Sequence, residues 1–96
     1  GVVSKKNNGT YTVATASGAY VYNNSTTAAT WTLPSLATAY AANIRYEIKN
    51  IAVGQNITVQ RAGSDNLYST SAVTSITVTP GSSVTVWAGQ NFWYTF

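Results

Sequence analysis

What most constrains the fold of this chain is a two-residue alternation of apolar and polar side chains, in short runs each closed by a turn signal. The cleanest run is Ile44-Arg45-Tyr46-Glu47-Ile48-Lys49-Asn50, where Ile44, Tyr46 and Ile48 share one face and Arg45, Glu47 and Lys49 the other. Successive side chains of a strand point to opposite faces, so this run predicts a strand with one buried side. The pattern recurs at Tyr11 and Val13, over Ala19–Tyr22 and Thr30–Leu33, and at Ile57 with Val59. It returns at Ile76 with Val78, at Val84 with Val86, and over Phe92–Phe96. Asn7-Asn8-Gly9, Ser17-Gly18, Asn23-Asn24-Ser25, Val53-Gly54-Gln55, Ala62-Gly63-Ser64-Asp65-Asn66, Pro80-Gly81 and Ala88-Gly89-Gln90-Asn91 punctuate the runs with turn formers. Short strands at this spacing predict an all-β domain: a compact sandwich or barrel of about seven to eight short, mostly antiparallel strands.

Residues 35–43 are the one plausible helical stretch, rich in alanine and following Pro34, with Ser35 placed to cap it. The segment spans barely two turns, so a loop with one helical turn is the equal alternative. Ninety-six residues suit one domain, 1–96, with residues 1–9 expected as a linker from a longer parent chain. The absence of an initial Met predicts a fragment or processed product.

Composition narrows the function classes. The chain has no His, Cys or Met, and its only acids are Glu47 and Asp65. General acid–base work, metal ligation and nucleophile activation draw on the residue types this chain lacks, so we expect a non-enzymatic protein with no catalytic residue, no cofactor and no metal. No disulfide can reinforce it, so extra stability is expected from tight turns or partner chains. No stretch approaches the roughly 20 apolar residues of a membrane span, which argues against membrane insertion. The net charge of +3 is spread over Lys5, Lys6, Arg45, Lys49 and Arg61. Nucleic acid calls for a dense basic stripe, so no nucleic-acid partner is expected.

Glycoside hydrolysis usually needs two carboxylates facing each other across the scissile bond. Glu47 is flanked by Arg45 and Lys49 on its strand face, which suits a surface charge cluster better than a proton donor. Asp65 sits in a turn, where aspartate commonly accepts backbone hydrogen bonds. An Arg61–Asp65 ion pair bracing that turn is the plainer expectation for Arg61, with a subunit seam or sugar site as the alternative.

The aromatic residues are the better lead. Trp87 has the opposite parity to Val84 and Val86, and Trp93 the opposite parity to Phe92, Tyr94 and Phe96. Both faces of the last two strands are therefore apolar, as in strands buried on two sides. Trp87, Trp93 and Phe96 are expected at an oligomer interface, with core packing or sugar stacking as alternatives. Tyr20, Tyr22, Tyr40 and Tyr68 lie nearer turns and, with Asn66 and Gln90, are the expected contacts if a glycan is bound. Asn23-Asn24-Ser25-Thr26 and Asn56-Ile57-Thr58 match the N-glycosylation acceptor pattern.

From residue 28 onward the order of short elements also carries a resemblance. Leu33-Pro34 is followed by Tyr46-Glu47-Ile48-Lys49-Asn50, then Ile57-Thr58-Val59 with Gly63-Ser64-Asp65, then Ile76-Thr77-Val78. Gly81-Ser82-Ser83-Val84-Thr85-Val86 and an aromatic close at Trp93 complete it. This succession resembles small β modules, often C-terminal, of tailed-bacteriophage tail fibres and tailspikes. The resemblance implies a homotrimeric virion appendage that meets the host surface and attaches to a cell-surface polysaccharide, with no catalytic residue. Two departures stand beside it: Ala37–Asn43 lacks a glycine, and the terminal aromatic density is high. A carbohydrate-binding module of a secreted bacterial enzyme is the alternative, since the same aromatic platform would serve it. A virion assembly module that never touches the host is a third.

Overall fold

The computed structural model describes residues 3–96 and arranges them as two β-sheets around a shared apolar core. The larger sheet runs in the order β1 (Val3–Lys6), β3 (Gly18–Tyr22), β5 (Arg45–Asn50), β10 (Ser83–Ala88), β11 (Trp93–Thr95), β7 (Leu67–Tyr68) and β8 (Ala72–Val73). The smaller sheet runs β2 (Thr10–Thr12), β4 (Ala29–Thr32), β6 (Ile57–Gln60) and β9 (Ser75–Val78). The all-β expectation holds, and the architecture is a two-sheet sandwich rather than a closed barrel.

The connectivity corrects the expectation of mostly antiparallel strands. Through its first six strands the chain alternates between sheets, β1, β3 and β5 in the larger and β2, β4 and β6 in the smaller. Consecutive strands therefore never pair; each pairs in parallel with the strand two along, as in a coil of three stacked rungs. Among the described residues five strand pairings are parallel and four antiparallel. The turn clusters before β6 are thus corners between the sheets, whereas Ala88-Gly89-Gln90-Asn91 closes a true hairpin between β10 and β11. The expected seven to eight strands become eleven among the described residues because β1, β7 and β8 also pair. Part of the expected linker at 1–9 is thus the edge strand β1, while Gly1 and Val2 lie outside the described residues.

Irregular corners leave backbone carbonyls that a dry interior cannot hydrate, and the core side chains answer them. The Trp31 indole donates to Asn8 O at 3.2 Å, across the β1–β2 corner. Tyr46 and Tyr20 donate to Ala14 O at 2.5 Å and Ala16 O at 3.0 Å, both between β2 and β3. Tyr22 donates to Thr27 O between β3 and β4. At the β5–β6 corner the fully buried Asn50 does the same, giving Nδ2–H bonds to Gln55 O at 2.7 Å and Val78 O at 2.9 Å. Its Oδ1 accepts from Ala52 N at 2.9 Å, so all three bonds are satisfied out of water.

The helical stretch forms α1 (Leu36–Ala41). Ser35 occupies the cap position but makes no side-chain cap bond; Asp65 Oδ2 accepts from Leu36 N at 3.0 Å in its place. The far end closes on Asn43, whose φ of 54° is left-handed. Asn43 N donates to Tyr40 O and Ile44 N to Ala39 O, the paired bonds of a Schellman stop. Asparagine thus does here what glycine commonly does. Pro80-Gly81 behaves as expected: Ser82 N donates to Thr79 O at 3.0 Å, and Gly81 carries the positive φ of 84°.

Candidate functional site

The register of the larger sheet fixes which side chains share its outer face. Tyr46, Ile48 and Asn50 of β5 are buried, so Arg45, Glu47 and Lys49 point outward. Glu47 aligns with Ala19 on β3 and Thr85 on β10, and Ala19 with Val3 on β1. Phe96 sits opposite Thr85 through two backbone bonds, which extends this row to the aromatic end. A second row joins Arg45, Trp87, Tyr94 and Tyr68 across β5, β10, β11 and β7. A third joins Lys5, Val21, Lys49 and Ser83.

Because Gly18 and Ala19 carry almost no side chain, β3 forms the floor of a trough between taller neighbours. Val3 stands on one side, and Arg45, Trp87 and Phe96 on the other, with Ser17, Glu47 and Thr85 along it. The groove encloses about 780 Å³. A smaller hollow of about 290 Å³, bounded by Asn43, Ile44 and Ala88, shares Arg45 and Trp87 with it. Those two residues are thus a ridge between the hollows. The Arg45 guanidinium lies 4.7 Å from the Trp87 ring centroid, within cation–π range. Phe96 leans on Trp87 at 5.4 Å between ring centroids. Beyond them Tyr68, Tyr94 and Phe92 touch one another at 5.2–6.0 Å. Trp87 is 42% exposed, Tyr94 40% and Phe96 75%, so this face presents aromatic rings directly to solvent.

The expected interface set is divided by this geometry. Trp87 and Phe96 are on the outer face, but Trp93 is wholly enclosed within its own chain, stacked on Tyr46 at 5.7 Å and 26°. The inner side of the terminal hairpin is thus covered by the chain's own core, and Trp93 can touch no partner. Its indole Nε1 is buried without a hydrogen-bond partner. The expected glycan contacts divide as well. Tyr20 and Tyr22 point inward and are buried, because β3 alternates in the sense that turns Ala19 and Val21 outward. Tyr40 is exposed on α1, and Gln90 is exposed in the β10–β11 turn. Tyr68 joins the aromatic row. Asn66 is engaged structurally: Arg61 donates to its Oδ1, and its carbonyl accepts from Trp93 N.

That bond also corrects the Arg61–Asp65 pair. Arg61 braces the turn through Asn66, while Asp65 is turned to the α1 amide. Glu47 lines the groove and Asp65 does not, so the two carboxylates do not share that cleft. Among the described residues no group of three or more His, Cys, Asp or Glu is placed to hold a metal ion. No helix among the described residues is long and apolar enough to cross a membrane. Burial raises the phenol pKa values of Tyr20, Tyr22 and Tyr46, most strongly at Tyr46, where nearby Tyr20 and Tyr11 add to the effect.

The sequence grouped Trp87 and Phe96 only as interface candidates together with Trp93, and nothing in it brought Val3 and Gly18-Ala19 beside them. That juxtaposition needs β1, β3 and β5 to lie parallel and adjacent. Neither a scan against protein-family models nor a search of curated proteins returns a match for this chain.

Proposed function

We propose that this chain is a non-enzymatic attachment module of the tail-fibre or tailspike kind, working as a homotrimer at a virion surface. Its receptor-facing element is the outer face of the larger sheet. The observation that carries the reading is the cluster of solvent-exposed rings, Trp87, Tyr94 and Tyr68 in one row with Phe96 against Trp87, beside an open groove. Rings that are large, apolar and polar-tipped suit both a subunit contact and the C–H face of a sugar. Three modest sites on one appendage would act together through avidity.

A second reading, a monomeric carbohydrate-binding module, is favoured by one observation. The apolar core, Trp93 included, is complete within a single chain. Sedimentation velocity at micromolar concentration separates the two, combined with a glycan array on the same sample. A trimer with array hits supports attachment by a fibre. A clean monomer with array hits supports the module, and a stable trimer with a silent array leaves assembly alone. A monomer that binds no glycan refutes both attachment readings.

A further inference from the structure

Resting on the attachment reading, we propose that the groove over β3 takes a sugar chain bearing carboxylates, and that Arg45 is the residue that selects the acid. Arg45 is exposed on the groove wall, with its guanidinium over the Trp87 ring at 4.7 Å from the centroid. Among the described residues its guanidinium donates no hydrogen bond to a carboxylate, so the fork is oriented but unspent. A guanidinium held over an aromatic ring loses less freedom on meeting a planar anion than a free one does.

The surroundings carry the same sign. Lys5 and Lys49 stand one row further along the outer face, and Glu47 is the lone acid between them and Arg45. The face therefore holds three cations to one anion, an excess suited to an anionic partner. Glu47 also sets the kind of anion. A nucleic acid carries closely spaced phosphates along its whole length and would meet that carboxylate head-on. A saccharide carries spaced carboxylates with hydroxyls between them, and Glu47 and Thr85 accept and donate to hydroxyls. Phe96, three-quarters exposed, and Trp87 supply the apolar wall against which a sugar ring rests. The smaller hollow beyond the Arg45–Trp87 ridge lets the chain continue across it.

The test uses a panel of soluble acidic glycans: oligogalacturonate, alginate, hyaluronan and polysialate, each beside its carboxyl-reduced neutral counterpart. Calorimetry gives affinity, and tryptophan fluorescence reports the site, since Trp87 is exposed while Trp31 and Trp93 are buried. At least one acidic glycan is expected to bind about tenfold or more tightly than its reduced form, the range of a charge-assisted hydrogen bond. Arg45→Gln should erase that preference while keeping binding of the neutral form, and Trp87→Ala should weaken both; unchanged urea midpoints confirm that each variant folds.

If no acidic glycan beats its neutral counterpart, acid selection by Arg45 is overturned, while binding of the neutral forms would leave attachment standing. Poly-glutamate binding as tightly as the best saccharide would show that the face reads charge alone, and would overturn the proposal. Glycan binding undisturbed by both variants would move the receptor site elsewhere on the protein.

Discussion

Asparagine 50 offers the sharpest test of how the sheets are joined. Its Nδ2 serves two carbonyls and its Oδ1 one amide, all in a site with no solvent exposure. Asn50→Asp keeps the shape and the bond from Ala52 N, but turns a carboxylate oxygen toward Gln55 O and Val78 O. In its protonated form the acid restores one of the two donated bonds, so the neutral variant should lose about 1–3 kcal/mol for the orphaned carbonyl. Ionisation adds more. Burial and two facing carbonyl dipoles should raise the folded-state pKa by about three units, and at about 1.4 kcal/mol per unit this contributes about 4 kcal/mol more at neutral pH. Between the unfolded pKa near 4 and the raised folded one, the folded state holds the extra proton, so stability falls as pH rises. Urea unfolding followed by tryptophan fluorescence should therefore show a variant about 5–7 kcal/mol less stable than the parent near neutral pH. Most of the ionisation part should be regained near pH 4. Asn50→Leu also loses the bonds but adds no titrating group, so its deficit should not vary with pH. A pH-independent deficit for Asn50→Asp would refute the reasoning, because it would mean the site is wet enough to solvate the charge.

Three further outcomes follow from other parts of the structure. Tyr20, Tyr22 and Tyr46 hold raised phenol pKa values, so their stabilisation is complete below about pH 10 and is lost as pH climbs beyond it. Stability measured alongside phenolate absorbance should fall there, less steeply in Tyr46→Phe; ionisation of all seven tyrosines in one step without unfolding would contradict this. A methyl group on Gly89 would meet the Tyr94 ring at 2.5 Å and Phe92 O at 2.9 Å. Gly89→Ala should therefore cost about 1–3 kcal/mol in urea unfolding and disturb the aromatic row. Asn43→Ala should cost about 1 kcal/mol for placing alanine in left-handed backbone, whereas Asn43→Gly should be neutral or stabilising; equal midpoints for the two would remove the stop assigned to Asn43.

Faces were legible in the sequence because a strand's side-chain period is two whatever its neighbours are. Ile44, Tyr46, Ile48, Ile57, Val59 and Val86 could therefore be assigned inward from spacing alone, and each is buried. The same period showed both faces of the last two strands to be apolar but did not separate Trp87 from Trp93, which were expected together at an interface; the structure encloses Trp93 and leaves Trp87 on the outer face. The turn at Pro80-Gly81 was legible in the same local sense, whereas the left-handed stop at Asn43 was not, since the stretch 35–43 reads as helical to its end.

Pairing partners were not legible. A parallel sheet usually announces itself by runs apolar on both faces, but here one face of β5 carries charge, so it alternates as an antiparallel strand would. Whether Asn7-Asn8-Gly9 reverses the chain within a sheet or turns it into the other one depends on what lies across the core. The same holds for Arg61, which had both Asp65 and Asn66 within reach along the chain. Only the docking of α1, which draws Asp65 to Leu36 N, decides between them. Local alternation thus determined which side is wet where a strand carries polar residues on one face, as β5 does. For β3, β10 and β11, apolar on both faces, the long-range stacking of rungs decided it. The groove formed by Val3, Gly18, Ala19, Arg45 and Trp87 belongs to that second class, because its walls lie far apart in sequence and meet only across paired backbones.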